Sequence, residues 1–133
     1  MVIDTSALLA ILQNEPEKEI FLRALVRDPV RLLSAASYVE AGIVLETRFG
    51  LPGRHQLILF ITRASIIIKE VDQEQAEICL QAFNRFGKGK HPAGLNYGDC
   101  FSYALSTVTA EPLLYKGIDF VQTDVKKVEL SHL

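Results

Sequence analysis

A chain of 133 residues fits one folded unit, 1–133, and leaves little room for a second. Apolar residues make up 49 % of it, which excludes a disordered tail, and a net charge of −2 with a pI of ≈ 5.9 excludes a protein that coats nucleic acid by bulk electrostatics. Met1-Val2-Ile3-Asp4 lacks the basic start of a secretory signal, and the apolar runs at 57–61 and 66–68 fall far short of a membrane span, so a cytoplasmic location is expected.

Val2-Ile3 begins a short strand that ends at Asp4, and Ser6 opens a helix over Ala7 to Gln13. Pro16, with Glu15, Glu17 and Glu19 around it, marks the start of a second helix, whose face is lined by Ile20, Phe21, Ala24 and Leu25 and which Asp28-Pro29 stops. Val30 to Leu33 reads as a strand. Ser34 or Ser37 caps the helix that follows, to about Phe49, and another helix spans Gly53 to Ala64. Ser65 to Val71 holds the β-branched run Ile66-Ile67-Ile68, as in a strand buried on both faces. Asp72 and Gln75 resemble a capping box ahead of a helix with Ala76, Cys79, Leu80 and Phe83 at helical spacing. Residues 87–94 form a loop, after which Asn96 caps a helix with Phe101, Ala104, Leu105 and Val108 on its apolar side. Pro112 to Lys116 reads as a strand, 117–119 as a turn, and Val128 to Leu130 as a last short strand. Strands alternating with helices predict an α/β fold with a parallel sheet covered on both faces. Cys79 and Cys100 lie on apolar helical stretches without CxxC spacing and read as buried free thiols, which fits a reducing compartment.

Parallel sheets gather ligand sites at the carboxyl ends of their strands. Asp4 ends the first strand, Asp119 follows the strand from Pro112, and Asp99 lies in the first turn of its helix. Glu40 shares a helix face with Ala36, Ile43, Val44 and Thr47, a face expected to turn toward the sheet, where an ionised carboxylate needs a base or a metal. Acids gathered in one place repel one another, and a divalent cation removes that conflict. An all-oxygen donor set without a His or Cys cluster suits Mg²⁺ or Mn²⁺ rather than Zn²⁺, and such a site can hydrolyse phosphodiesters. Each acid also has a structural role open to it. Asp4 can cap the first helix, Asp99 can close a capping box with Asn96, Glu40 can pair with Arg48 or Arg31, Asp119 can serve the turn, and Asp124 can act as a cap.

Ile3-Asp4-Thr5-Ser6-Ala7, Glu40 in the third helix, and Leu95-Asn96-Tyr97-Gly98-Asp99-Cys100 resemble the PIN-domain nucleases. Leu113-Leu114-Tyr115-Lys116-Gly117-Ile118-Asp119-Phe120, followed by Thr123-Asp124, is similar to the VapC toxins of VapBC toxin–antitoxin modules, and the resemblance covers essentially the whole chain. It implies a PIN-like sheet of roughly five mostly parallel strands flanked by helices on both faces. It also implies Mg²⁺- or Mn²⁺-dependent endoribonuclease activity on RNAs such as tRNA or rRNA, a homodimer, and inhibition by a small VapB-type antitoxin. Asp4, Glu40 and Asp99 then match the family's acidic triad, with Asp4 and Asp99 as metal ligands. Gly117 stands where many PIN domains carry a fourth acid, and Asp119 is the nearest substitute, with Asp124 another candidate. Thr5 and Ser6 match the polar neighbours of the first acid, and Ser6 is also a candidate cap.

Arg85, Lys88, Lys90, His91 and Lys116 cluster in sequence and are candidates for holding RNA phosphates, with Tyr97 a candidate for stacking on a base. Apolar residues of the second helix and of Leu57 to Ile61 in excess of the core are candidates for a partner groove or dimer face. Two other readings of the same architecture stay open. One is a phosphotransfer or phosphatase domain, for which Asp72 is the weak phospho-acceptor candidate. The other is a non-catalytic binding module.

Overall fold

The computed structural model describes residues 1–133. Its elements, in chain order, are β1 (Val2–Ile3), α1 (Thr5–Leu12), α2 (Lys18–Arg27), β2 (Leu32–Ser34), α3 (Ala35–Phe49), α4 (Leu51–Arg63), β3 (Ile67–Lys69), α5 (Gln73–Phe86), α6 (Tyr97–Thr109) and β4 (Leu113–Leu114). The strands form one parallel sheet in the order β3-β2-β1-β4, with Val2 opposite both Leu32 and Leu113. Beyond β4, in place of the last strand expected at Val128 to Leu130, a single parallel bridge joins Leu113 to Lys127.

Alternation along the strands divides the core into two layers. Val2, Leu32 and Leu113 face one side and pack with Ala82, Phe86 and Leu105 from α5 and α6. Ile3, Leu33 and Leu114 face the other and pack with Leu8, Phe21, Leu45 and Leu57 from α1 to α4. Of the amphipathic second helix, Phe21, Ala24 and Leu25 enter this core, as their spacing predicts.

Three local expectations change. The Ile66-Ile67-Ile68 run is not buried on both faces. β3 pairs only with β2, so it is an edge strand, and Ile67 and Ile68 are exposed while Ile66 alone reaches the core. Asp4, not Ser6, caps α1. Asp72 caps α5 through the Gln75 N–H (2.9 Å), but the Gln75 side chain donates to the Glu70 carbonyl (3.0 Å), so the box is half made. Ser34 caps α3, and Asn96 with Asp99 makes a full capping box on α6. No helix is long and apolar enough to cross a membrane.

Candidate active site

β1 is the strand at which the sheet order reverses. From it the chain steps outward to β2 and β3, then returns to lay β4 on its other side. The intervening helices cover opposite faces, which opens a crevice beyond the carboxyl end of β1. Asp4 is the first residue past that end and is 4 % exposed. Its Oδ2 accepts from the Ser6 N–H (3.0 Å) and from Ser6 Oγ (2.6 Å), and its Oδ1 accepts from Ser102 Oγ (2.6 Å). Burial pushes the Asp4 carboxyl above its ordinary range, while the Ser102 and Ser6 donors pull it back. Ser6 Oγ also accepts the Lys116 N–H (2.9 Å), and the Asp4 N–H donates to the Leu114 carbonyl (2.9 Å), so the ends of β1 and β4 are tied together at the acid.

Asp99 enters from α6. The capping box that starts this helix holds its side chain: Oδ2 accepts the Asn96 N–H (3.0 Å), and Asn96 Oδ1 accepts the Asp99 N–H (2.9 Å). Both proposed roles of this residue, cap and site acid, are geometrically compatible. Burial lifts the Asp99 carboxyl to about 7; the Asn96 N–H opposes the rise, and the charges of Asp4 and Asp119 together with a hydrogen bond to the Asp119 carboxyl add to it. Asp4, Asp99 and Asp119 therefore share one electrostatic neighbourhood although they come from β1, α6 and the loop after β4. Gly117 explains the spacing of the last of these. Its φ of +97° lies in the region that favours glycine, and the turn it makes carries the acid two residues on, to position 119.

Glu40 arrives from α3 and lies against the start of α6. A Cβ placed on Gly98 would stand 2.3 Å from Glu40 Oε2 and 2.9 Å from its Cδ. The absent side chain of Gly98 is what admits the carboxylate, one residue from Asp99. The expected orientation of this face needs correction. Ser37, Ala41 and Leu45 form the buried side of α3, whereas Val39, Ile43 and Val44 are exposed and, with Glu40, line a groove toward Tyr97, Gly98 and Phe101. Glu40 is half-buried and makes no ion pair. Arg31 donates instead to the carbonyls of Leu25, Asp28 and Ala64, and Arg48 to Gln13.

The remaining candidates lie elsewhere. Asp124 accepts from Tyr103 OH (2.6 Å) and Arg85 (3.2 Å), fastening the segment after β4 to α5 and α6 rather than joining the acids. Asp72 is occupied as the cap of α5. The basic cluster is largely dispersed into local tethers: Lys116 pairs with Glu15 and Glu17, Arg85 with Asp124, Lys90 with Asn84, and His91 accepts the Ala93 N–H.

No three His, Cys, Asp or Glu side chains are gathered closely enough to ligate one ion by themselves. The donor set still fits a hard divalent cation. Asp99 is raised partly by its acidic neighbours, and Thr5 Oγ1, beside Asp4, is buried without a hydrogen-bond partner. Mg²⁺ takes only one or two protein carboxylates and keeps water in its other positions, so a pair such as Asp4 and Asp99 would be enough to hold it.

Two participants escape the sequence reading, Ser102 and Gly98. The signal for Ser102 is its place three residues beyond Asp99, which puts a small hydroxyl on the same face of α6. Nothing in the local pattern distinguishes Gly98, because its partner is 58 positions away by residue number (40 against 98).

Residues 1–126 match the PIN domain family. A Ribonuclease VapC from Mycolicibacterium smegmatis is 56 % identical over 128 residues, covering 96 % of this chain and 99 % of its own. Among solved structures, Mycobacterium tuberculosis VapC20, described as a sarcin–ricin loop cleaving toxin, matches with a TM-score of 0.78 at 16 % identity over 96 % of this chain and 98 % of that one. A toxin–antitoxin complex from Klebsiella pneumoniae matches with a TM-score of 0.68 at 17 % identity over 92 % of each chain. The two structural likenesses speak for the fold, and the sequence matches, spanning nearly the whole chain, speak for descent: the chain belongs to the PIN-domain family, among its VapC ribonucleases.

Proposed function

We propose that this VapC-family ribonuclease hydrolyses RNA phosphodiester bonds with a divalent ion, Mg²⁺ or Mn²⁺, held by Asp4 and Asp99, with Glu40 and Asp119 acting on the water beside it. What supports this reading is the place of Asp4 just past the end of β1, the charge of Asp4 and of Asp119 felt at Asp99, and the lodging of Glu40 against Gly98 beside it. An ion bound there would supply Lewis-acid stabilisation of charge on the phosphate and make a neighbouring water easier to deprotonate. Ser6 and Ser102 orient the Asp4 carboxylate, and the capping box orients that of Asp99. Glu40, which makes no ion pair and lies against Gly98 next to Asp99, would take a proton from the attacking water at a carboxylate oxygen. Cleavage of a total RNA pool is expected with Mg²⁺ and not with EDTA, and Asp4→Asn should lower it by about 10²-fold or more while the fold survives. Wild-type cutting by Asp4→Asn rejects the assignment.

Two surfaces support the partners expected of such a toxin in the cytoplasm. Val39 and Ile43 of α3, Leu80 of α5 and Tyr97 of α6 are exposed apolar side chains, with Ile43 62 % and Tyr97 79 % exposed. An apolar patch of this kind favours association, and we assign it to a second copy of the chain. A groove between α1, α2 and α4, lined by Leu12, Leu22, Leu59 and Phe60 with Lys18 and Arg63, suits the apolar face and acidic flank of a VapB-type antitoxin helix. Ile43→Glu is expected to give a monomer that still binds a co-expressed antitoxin, and Leu59→Glu a dimer that does not. Sedimentation of the two variants checks both, and unchanged behaviour of either removes the corresponding surface.

A further inference from the structure

Asp4 is held at both ends, and only one of the two holders belongs to its own segment. Ser6, two residues on, takes Oδ2 twice, through its N–H and its hydroxyl. Ser102, 98 positions away on α6, takes Oδ1 at 2.6 Å and is itself 0 % exposed. Behind it stands Ser37 of α3, 2 % exposed, with the two hydroxyl oxygens 3.3 Å apart. A serine hydroxyl carries one proton. The short contact with an acceptor-only carboxylate takes that of Ser102, so Ser37 is the donor in the contact between the hydroxyls. The result is a directed chain, Ser37 to Ser102 to Asp4, in which each bond polarises the next.

The second tether reinforces the first. The terminal torsion of an aspartate is broad, and its two oxygens turn together about the last bond, so donors on both sides restrain the carboxylate plane more tightly than donors on one. Ser102 also sits one helical turn beyond Asp99, so a single helix carries one acid and sets the orientation of the other.

Resting on the metal-site reading above, we propose that Ser102, backed by Ser37, is a positioning residue that fixes the Asp4 carboxylate for the divalent ion. Loss of such an outer partner commonly weakens metal binding by about 10–100-fold. The test is calorimetric titration of Mn²⁺ into the metal-free, full-length protein. Ser102→Ala should bind Mn²⁺ about 10-fold more weakly than wild type, Ser37→Ala about 3-fold more weakly, and Ser102→Thr, which keeps the hydroxyl, closer to wild type than the alanine variant. At saturating Mn²⁺, Ser102→Ala should lower kcat and leave the KM for RNA unchanged, a split that general loosening of the fold would not give. Asp4→Asn is the control. If it abolishes Mn²⁺ binding while Ser102→Ala and Ser37→Ala bind as wild type does, the positioning role is overturned and the site stands. If Asp4→Asn itself binds as tightly as wild type, the site reading fails and takes this inference with it.

Discussion

Asp99→Asn is expected to remove activity and to stabilise the metal-free protein at pH 8. The first effect, on the order of 10³-fold in kcat, follows from the proposed role of Asp99 as an anionic ligand of the ion. The second follows from linkage. Burial and the neighbouring acids lift the Asp99 carboxyl to about 7 in the folded chain, against an ordinary value of 3.8. Between those values the folded state keeps a proton that the unfolded state has released, so stability falls as pH rises from about 4 to about 7. Asparagine carries no such charge, and its side-chain oxygen can still accept the Asn96 N–H that Asp99 accepts now. The gain at pH 8 should be about 1–3 kcal/mol. Urea unfolding at pH 5 and pH 8 without metal checks it. The wild type should lose stability between the two conditions, and the variant should lose less. Saturating Mn²⁺ should restore the wild type at pH 8 and leave the variant unmoved, because only a ligand that binds the folded state stabilises it. A wild-type stability that is flat across this range would mean that neither burial nor the neighbouring acids raise the Asp99 carboxyl.

Much of this was legible in the sequence because the signals are local. The alternation of apolar pairs with polar stops produced β1, β2 and β4, and Ser34, Asp72 and Asn96 announced their helices by cap chemistry. Asp4 and Asp99 were visible for the same reason, one ending a strand and the other opening a helix. What was not legible depends on contacts made across the chain. The isoleucine run of β3 looks like a central strand, yet whether a strand is central depends on whether another element reaches its far side, and none pairs there. Lys116 seemed free to meet phosphate until the turn between α1 and α2 brought Glu15 and Glu17 to it. Glu40 was singled out on the expectation that its helix face turns to the sheet, and that expectation fails. It stands on an open groove, and what accommodates its carboxylate is a gap left by a glycine on another helix.

That gap yields the sharpest separation of activity from stability in the molecule. Gly98→Ala is expected to leave the protein as stable as wild type or slightly more so, while reducing cleavage about 10–100-fold. Gly98 lies in the first turn of α6, and alanine there gains helix propensity, worth up to about 1 kcal/mol in a helix interior and less at an end. The new methyl would fall 2.3 Å from Glu40 Oε2, which cannot be tolerated. The obstructing atom is the tip of a flexible side chain on a half-exposed face, so Glu40 swings away and the backbone of α6 stays in place. The loss of activity should then match that of Glu40→Gln, since both variants remove the same carboxylate from the same place. The double variant is the decisive measurement. If Gly98→Ala acts through Glu40, adding it to Glu40→Gln costs nothing further, and the two effects fail to add. Full additivity, or a Gly98→Ala enzyme that cuts RNA at the wild-type rate, would show that Glu40 works from some other position or does not work at all.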